Sequence, residues 1–292
     1  MQTNLGQANL VENKICLVTG ASNGIGYEAA LNLAGMGTKV ILAGRDERRT
    51  SLATQKIIGQ TGNENVSYLI ADLSNSAGVR QLAKSFLDKF HKLDILINNA
   101  GAMTGYRQVS ADGFEMNWGL NHLNYFLLTH ELLDLLKASG TKNSNARIIN
   151  VASMAHKRAT INFDDLQSEK SFKKWQAYGQ SKLANIMFTY ALAKRLEGYN
   201  VTANCLHPGV VATGFVDNIG KIENLLSPII KLFLTSPQKG AQTTIHLAVS
   251  PEVENISGVY FSNSKPKQSS KLSHNEAAQE RLWEISKDHV KI

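Results

Sequence analysis

The sequence predicts an α/β protein with a single doubly wound, mostly parallel sheet of about seven strands and helices on both faces. Short, continuously apolar runs alternate along the 292 residues with longer stretches of helical period. A run that is apolar at every position is typical of a strand buried on both faces of a parallel sheet. No repeat, low-complexity tract or Pro-rich linker interrupts this alternation, so one domain is the simplest organisation.

Six apolar runs are the candidate strands, and most are rich in Val, Ile and Leu. Apolar residues recur between them at spacings of three and four, which predicts helices with one buried face. Alternating strands and helices favour a sheet built from right-handed crossovers. The predicted strands are Ile15–Thr19, Val40–Ala43, Val66–Ala71, Ile95–Asn98, Ile148–Val151 and Val201–Leu206, and the predicted helices include Ile25–Ala34, Val79–Phe90 and Tyr125–Leu136.

Two segments break this rhythm, and both follow the carboxyl end of a predicted strand, where open α/β sheets bind ligands. Residues 155–174 are polar and irregular, and residues 215–236 are apolar at helical spacing. The second segment has three readings: a substrate lid over about 214–236, a helix resting on a membrane with Lys221 and Lys231 near the head groups, or a helix packed on the core. An apolar lid predicts a lipophilic aldehyde, ketone or alcohol as substrate.

The charge pattern argues against nucleic-acid binding. The net charge is +7, but the Lys and Arg residues are scattered and form no basic stripe with interleaved aromatics. Residues 1–13, an N-terminal extension, lack the charged start and apolar block of a signal peptide. No apolar run is long enough to span a bilayer. We therefore expect a cytoplasmic protein whose membrane contact is at most peripheral.

The cysteines and histidines give no sign of a metal site. Cys16 and Cys205 each lie inside an apolar run, which predicts buried, inert thiols in a reducing compartment. His122, His156 and His207 are far apart and lack metal-ligand spacing, so structural roles are expected. The absence of a Gly-x-Ser-x-Gly elbow argues against a hydrolase.

A glycine-rich loop follows the first predicted strand and opens a helix. Gly20 allows the sharp turn, Gly24 lets a pyrophosphate approach the backbone, and Gly26 lets the helix pack close to the strand. The free N–H groups and positive dipole end of that helix favour phosphates. This context predicts a Rossmann-type dinucleotide site. Its candidate residues are Gly20, Ser22, Asn23, Gly24, Ile25 and Gly26.

The end of the second predicted strand favours NADP(H) over NAD(H). A carboxylate there would bind the ribose 2′-hydroxyl and repel a 2′-phosphate, but Gly44 occupies the position and Arg45 follows. A guanidinium suits a phosphate dianion, and Asn23 could donate to the same phosphate. Asp46 is explained as the cap of the helix that starts near Glu47.

Further motifs, in order along essentially the whole chain, make the sequence similar to the short-chain dehydrogenase/reductase family. Asn98-Asn99-Ala100-Gly101 resembles the family's Asn-Asn-Ala-Gly signature, and Tyr178-Gly179-Gln180-Ser181-Lys182 its Tyr-x-x-x-Lys motif. Ser153 follows the fifth strand and Pro208-Gly209 the sixth. The resemblance implies that residues 14–292 form one NADP-binding dehydrogenase domain. The cofactor residues that it implies are Asp72, Leu73, Asn99, Ala100, Gly101, Tyr178, Lys182, Pro208, Gly209 and Thr213.

Within the family, the sequence most resembles the retinol dehydrogenase-like group. The motifs that carry the likeness are Asn121-His122-Leu123, Ser181-Lys182-Leu183-Ala184-Asn185, His207-Pro208-Gly209 and Arg281-Leu282-Trp283. The sequence departs from the group at Asn124 and Tyr125, where Gly and His are usual.

The expected chemistry is hydride transfer with Tyr178 as proton donor. Lys182 lies four residues on, so both side chains project from the same helix face, and an ammonium group beside a phenol should lower the pKa of that phenol. Ser153 would bind the substrate oxygen and stabilise its developing charge. By resemblance, Lys182 also binds the nicotinamide ribose, and Asn121 completes a catalytic tetrad by holding a water molecule.

These features predict an NADP(H)-dependent oxidoreductase of lipophilic carbonyl compounds or alcohols. The alternatives are a tetrapyrrole reductase of the protochlorophyllide type, a steroid reductase, and a non-catalytic NADP(H)-binding sensor or scaffold. A homodimer through residues Gly113–Leu136 and Trp175–Leu196 is expected from the resemblance.

Overall fold

The computed structural model describes residues 11–209 and 236–292. Their eight strands are β1 Ile15–Thr19, β2 Lys39–Gly44, β3 Val66–Ile70, β4 Ile95–Asn98, β5 Ala146–Val151, β6 Val201–His207, β7 Tyr260–Ser262 and β8 Lys265–Pro266. They form one sheet in the order β3-β2-β1-β4-β5-β6-β7-β8. All neighbouring strands pair in parallel except β7 and β8, which are antiparallel.

The predicted fold class is confirmed, and all six predicted runs form strands. The described sheet has eight strands where about seven were predicted. The extra strand, β8, has two residues, Lys265 and Pro266, so it carries no apolar run from which it could be predicted. It is an exposed edge, which is where proline is tolerated in a sheet.

Nine α-helices lie in the described part of the chain: α1 Gly24–Gly35, α2 Glu47–Thr61, α3 Ser76–Leu87, α4 Met116–Trp118, α5 Asn124–Glu131, α6 Leu133–Ser139, α7 Lys174–Arg195, α8 Pro237–Val249 and α9 Glu276–Val290. A π-helical turn, Gly119–Leu123, joins α4 to α5. The predicted helix Tyr125–Leu136 is interrupted at Leu132, which separates α5 from α6.

Two apolar clusters cover the two faces of the sheet. Leu17 and Ile41 pack in a cluster with residues of α3, α5, α7 and α9. Cys16 and Val18 point to the opposite face and pack with residues of α1, α2 and α8. The two cysteines are buried and unbridged, as predicted.

The order of the strands places the ligand site. The chain runs from β1 outward to β3 and then crosses back to β4, so β1 lies between β2 and β4. This reversal is the point where doubly wound sheets bind ligands at the strands' carboxyl ends. Among residues 11–209 and 236–292, no helix is both long and apolar enough to cross a membrane. The same residues contain no cluster of side chains suited to a metal ion.

Candidate active site

The glycine loop leaves no room for a side chain at Gly20 or Gly26. Gly20 and Gly24 have φ values of +65° and +59°, which favour glycine. A Cβ on Gly20 would lie 2.8 Å from the Ala100 Cα. A Cβ on Gly26 would lie 2.5 Å from both the Asn99 Nδ2 and the Gly20 carbonyl oxygen. These contacts bring the backbone of the loop close to the end of β4.

Asn99 supports this loop rather than standing among the reacting groups. Its Nδ2 donates to the carbonyl oxygens of Thr19 and Gly20, at 2.8 and 3.2 Å. The Thr19 Oγ1 accepts in return from the backbone N–H groups of Asn99 and Ala100, at 2.9 and 3.0 Å. The ends of β1 and β4 are thereby joined on both sides of the loop.

The N-terminus of α1 fits the pyrophosphate of a dinucleotide. Asn23 holds the N-cap position in an extended conformation, and its side chain makes no capping hydrogen bond. The first turn contains no acidic residue. The N–H groups of Ile25 and Gly26, with half-buried Ser22 beside them, therefore begin a helix whose dipole and donors suit an anion.

Gly44 ends β2 and Arg45 follows it, at the position predicted to face the 2′ group of a dinucleotide. A Cβ on Gly44 would lie 2.3 Å from the Thr50 Oγ1, and that hydroxyl donates to the Asp46 carbonyl oxygen at 2.7 Å. Arg45 is exposed. Asp46 accepts from the Arg49 N–H at 2.8 Å, which confirms its expected role as the cap of α2.

Two more predicted cofactor regions lie at this edge of the sheet. Asp72 and Leu73 follow β3, where Leu73 is buried and the Asp72 carboxylate accepts from the Ser74 N–H at 3.0 Å. Pro208 and Gly209 follow β6, and Gly209 has a φ of +90°. Thr213 and the predicted lid, apart from Ser236, lie outside the described residues.

Tyr178 and Lys182 occupy successive turns of α7, and both are buried, at 7% and 4% exposure. The Lys182 Nζ lies 5.8 Å from the centre of the Tyr178 ring and donates to the Val151 carbonyl oxygen at 2.9 Å. It also lies 5.3 Å from the centre of the Tyr125 ring. The predicted pair therefore faces the carboxyl end of β5.

The expected lowering of the Tyr178 pKa is wrong for the protein alone. Burial raises the pKa of Tyr178 to about 12, although a side-chain hydrogen bond with Ser153 opposes the shift. Burial also lowers the pKa of Lys182 to about 7. Removing water disfavours both the phenolate and the ammonium group, so burial shifts the two pKa values in opposite directions. Tyr178 is therefore protonated at neutral pH.

Ser153 begins a short 3₁₀ helix, Met154–Arg158, directly after β5. Its Oγ accepts from the Ala155 N–H at 3.2 Å and shares a hydrogen bond with Tyr178. The fifth strand and α7 thus bring together a serine and a tyrosine 25 positions apart in the sequence.

Asn121 lies in the π-helical turn, a distortion often found at functional sites. Its side chain exchanges hydrogen bonds of 2.8 Å with the backbone of Ala102, and its Nδ2 also donates to the Ser181 Oγ at 3.0 Å. A Cβ on Gly101 would lie 2.9 Å from the Asn121 Oδ1 and 3.5 Å from the Lys182 Nζ. Asn121 therefore holds the segment after β4 beside Lys182.

A comparison with known families decides where this arrangement belongs. Residues 14–224 match the model of the short chain dehydrogenase family. The chain belongs to this family. This family and the relatives named next show that the short-chain dehydrogenase is an oxidoreductase that acts on CH–OH or C=O groups.

Named relatives extend over nearly the whole chain. Human polyprenol dehydrogenase is 40% identical over 277 residues, covering 94% of this chain and 84% of the relative. Human retinol dehydrogenase 11 is 42% identical over 275 residues, covering 94% and 85%. The structure of the Pseudomonas aeruginosa RhlG/NADP active-site complex superimposes with a TM-score of 0.71 at 27% identity, covering 86% of this chain and 94% of that one. The retinol dehydrogenase-like grouping predicted from the motifs is confirmed.

Sequence reasoning missed several residues that shape the site of this short-chain dehydrogenase. Thr19, which the sequence marks only as the end of a strand, accepts from the N–H groups of Asn99 and Ala100. Asn185, which the sequence shows only within a motif, donates to the Asn121 carbonyl oxygen at 2.8 Å. Its place one turn after Lys182 on α7 was an available signal. His156 and His207 have the structural roles expected of them, because both make hydrogen bonds with the backbone next to Ser153; the sequence did not indicate that these bonds lie beside the serine.

Proposed function

We propose that the protein is an NADP(H)-dependent oxidoreductase that transfers a hydride between nicotinamide and a lipophilic aldehyde, ketone or alcohol. One observation carries the proposal: the buried Tyr178 phenol shares a hydrogen bond with Ser153, one helical turn from Lys182. This group stands at the same edge of the sheet as the glycine loop and the N-terminus of α1.

The three side chains have separate tasks. The bound nicotinamide supplies or accepts the hydride. In reduction, the substrate oxygen gains negative charge and receives the proton of Tyr178, which the raised pKa keeps on the phenol at neutral pH. The Ser153 hydroxyl donates to the same oxygen and stabilises its charge. Lys182, held by the Val151 carbonyl, stabilises the phenolate that remains.

The preference for NADP(H) rests on the end of β2. Gly44 leaves no carboxylate to repel a 2′-phosphate. The Thr50 Oγ1 occupies the space that a side chain at position 44 would need. Arg45 is exposed beside it, and a guanidinium binds a phosphate through charge-assisted hydrogen bonds. The RhlG structure was solved as an NADP complex, which supports the same preference.

The lipophilic substrate is supported by the relatives and by the apolar pattern of residues 214–236. Human polyprenol dehydrogenase and retinol dehydrogenase 11 are named for long, apolar alcohols. The spacing of apolar residues in 214–236 predicts a helix with one apolar face.

A substrate panel tests the proposal. Purified protein is assayed with NADPH and with NADH against retinal, a polyprenal, a steroid ketone and small polar aldehydes, with Tyr178→Phe in parallel. We expect turnover with NADPH, faster for the long apolar aldehydes, and a fall of at least about 100-fold in Tyr178→Phe because its general acid is gone. NADPH binding without turnover of any compound would instead favour the sensor alternative. Faster turnover of the small polar aldehydes would refute the lipophilic substrate class.

A further inference from the structure

Two buried histidines contact the backbone on either side of the peptide bond that follows Ser153. The His156 Nδ1 lies 2.6 Å from the Ser153 carbonyl oxygen. The His207 Nδ1 accepts from the Met154 N–H at 3.2 Å. The two imidazoles are 0% and 7% exposed, so water cannot readily replace either contact.

The backbone needs these contacts because the sheet ends just before Ser153. The last hydrogen bond between β5 and β6 runs from the Ala152 N–H to the Leu206 carbonyl at 2.8 Å. Beyond it, the Ser153 carbonyl accepts from the His156 N–H at 3.3 Å within the 3₁₀ turn, and the Met154 N–H has no partner strand. A buried peptide group without a hydrogen bond is strongly disfavoured. His207 supplies the acceptor that the Met154 N–H would otherwise lack, and the His156 ring gives the Ser153 carbonyl a second, shorter hydrogen bond.

The partners fix the tautomer of each ring. The Ser153 carbonyl can only accept, so the His156 Nδ1 carries a hydrogen, and the Ser270 N–H, which can only donate, lies 3.2 Å from its Nε2. His156 is therefore neutral, with its hydrogen on Nδ1. The Met154 N–H can only donate to His207, so its Nδ1 carries the lone pair and its hydrogen is on Nε2.

We propose that His156 and His207 are positioning residues for Ser153: together they fix the peptide after it, and so direct its hydroxyl toward Tyr178 and the substrate oxygen. This inference rests on the proposed function of the site. Neither histidine touches the reacting atoms, so each acts through the backbone of Ser153.

The arrangement also ties the serine to distant parts of the chain. Ser270, which holds the far side of His156, follows β8 near the C-terminal end. His207 is the last residue of β6 and directly precedes Pro208-Gly209, the turn assigned above to the cofactor. The ring of His156 packs edge-on against Tyr260 of β7, with 4.9 Å between centroids. Three strands therefore converge on the peptide that carries the serine.

The tautomers can be measured without any turnover. In the ¹⁵N-labelled wild-type protein at neutral pH, the ring nitrogens of His156 should report hydrogen on Nδ1, and those of His207 hydrogen on Nε2. Assignment comes from His156→Asn and His207→Asn, each of which removes one set of signals. The opposite tautomer at either ring, or a positively charged ring, would overturn the proposal.

Paired amide substitutions test the role in catalysis. The amide of asparagine reaches about as far as Nδ1, and that of glutamine about as far as Nε2. His156→Asn and His207→Asn keep the contacts to the serine peptide, whereas His156→Gln keeps only the contact to Ser270 and His207→Leu keeps none. The same changes at exposed His91 serve as controls.

We expect kcat to fall about 10- to 100-fold in His156→Gln and His207→Leu, with the KM for NADPH nearly unchanged, because a misplaced group weakens the chemical step more than binding. The asparagine variants should stay close to wild type. Equal kcat values in His156→Asn and His156→Gln, both folded by melting temperature, would refute the positioning role. If the wild type itself shows no turnover, the proposed function fails, and the tautomer measurement still decides whether the rings hold the serine peptide.

Discussion

The Lys182 Nζ donates to the Val151 carbonyl oxygen at 2.9 Å while lying 5.8 Å from the centre of the Tyr178 ring. Burial lowers the pKa of this lysine to about 7 and raises the pKa of the tyrosine to about 12. The protein alone therefore keeps the phenol protonated, which is the form that carbonyl reduction uses.

This ordering predicts opposite pH behaviour for the two directions of the reaction. Alcohol oxidation needs the Tyr178 phenolate, whose fraction grows about tenfold per pH unit below the pKa. Reduction needs the phenol, which already predominates at neutral pH. Because the pKa of Lys182 is about 7 and its ammonium group must stand beside the phenolate, we expect kcat/KM for oxidation to rise from pH 6 to about pH 7 and then level off, while that for reduction does not rise. Parallel rises in both directions would contradict the assignment of Tyr178 as the titrating group.

Arg45 should decide the cofactor preference. Replacing Arg45 with Ala removes a charge-assisted hydrogen bond worth about 1.5–3 kcal/mol. The expected result is a KM for NADPH that rises by about 10- to 100-fold with little change for NADH. Arg48→Ala, which removes another exposed positive charge three residues further along the chain, is the matched control. An equal loss for both cofactors would show that Arg45 does not read the 2′-phosphate.

The ion pair between Arg147 and Glu254 should contribute strongly to stability. The Arg147 side chain is 4% exposed and that of Glu254 is 26% exposed, and the same arginine donates to the Leu247 carbonyl at 3.0 Å. Glu254→Gln leaves a buried guanidinium without its anion, and we expect the free energy of unfolding to fall by about 3 kcal/mol. Chemical denaturation measures it.

The exposed pair of Lys84 and Asp88 provides the control for that measurement. Its side chains are 69% and 58% exposed, so Asp88→Asn should change the free energy of unfolding by less than about 0.5 kcal/mol. A loss in Glu254→Gln no larger than that in Asp88→Asn would refute the importance of the buried pair.

Neutral buried histidines should make the fold sensitive to acid. Burial lowers the pKa of His122 to about 3 and that of His207 to about 4. In the unfolded chain both titrate near 6.5, so the unfolded state binds protons first as the pH falls. Unfolding should become easier from about pH 6.5 to pH 4, by up to about 1.4 kcal/mol per pH unit for each histidine.

Urea unfolding at pH 7, 6 and 5 measures this loss. His122→Gln should reduce the slope, because the variant has no ring to protonate at that position. His91→Gln changes an exposed histidine and should leave the slope as it is. A free energy of unfolding that is constant from pH 7 to pH 5 would be incompatible with neutral, buried rings.

The C-terminal helix covers the helices that were expected to form a dimer. Trp283 of α9 lies 4.9 Å from Phe126 of α5 and 5.8 Å from Phe188 of α7, measured between ring centroids. The Arg195 guanidinium lies 4.0 Å from the centre of the same indole. The apolar surface formed by Phe126 and Phe188 is therefore covered by α9 of the same chain.

Removing the indole should expose that face. We expect Trp283→Ala to lower the free energy of unfolding by about 2–3 kcal/mol and to increase self-association, measured by light scattering after gel filtration. A dimer of the wild type through this side would use the surface that α9 leaves open, which includes Trp175 of α7, 55% exposed. A wild-type dimer that persists unchanged in Trp283→Ala would place the interface elsewhere.

Local patterns were sufficient to predict the framework. The apolar runs were predictable as strands because burial on both faces favours apolar residues at most positions; β3, where only the first and fourth residues are buried, is the partly exposed case. The glycine loop was predictable because Gly20 and Gly24 adopt positive φ values that other residues avoid. The cap formed by Asp46 was predictable because its hydrogen bond is made three residues away.

Other features depend on residues far apart in the chain. The predicted helix Val79–Phe90 is observed as α3, Ser76–Leu87, and Leu87 at its end is 40% exposed, because neighbouring elements cover only part of the helix. The prediction of a lowered pKa for Tyr178 was wrong for a related reason. The spacing to Lys182 was correct, but the burial that raises the pKa of Tyr178 comes from the packing of residues far apart in the chain.

The sequence alone determined six strands of the sheet, the dinucleotide loop and the identity of Tyr178 and Lys182 as a pair, since each depends on a period or spacing within a few residues. Only the tertiary structure decided the environment of that pair and the support of Ser153 by His156 and His207. Those contacts join residues from 3 to 114 positions apart. Hydrogen bonds and desolvation depend on distance in space, and no local pattern specifies which distant groups will fill a buried position.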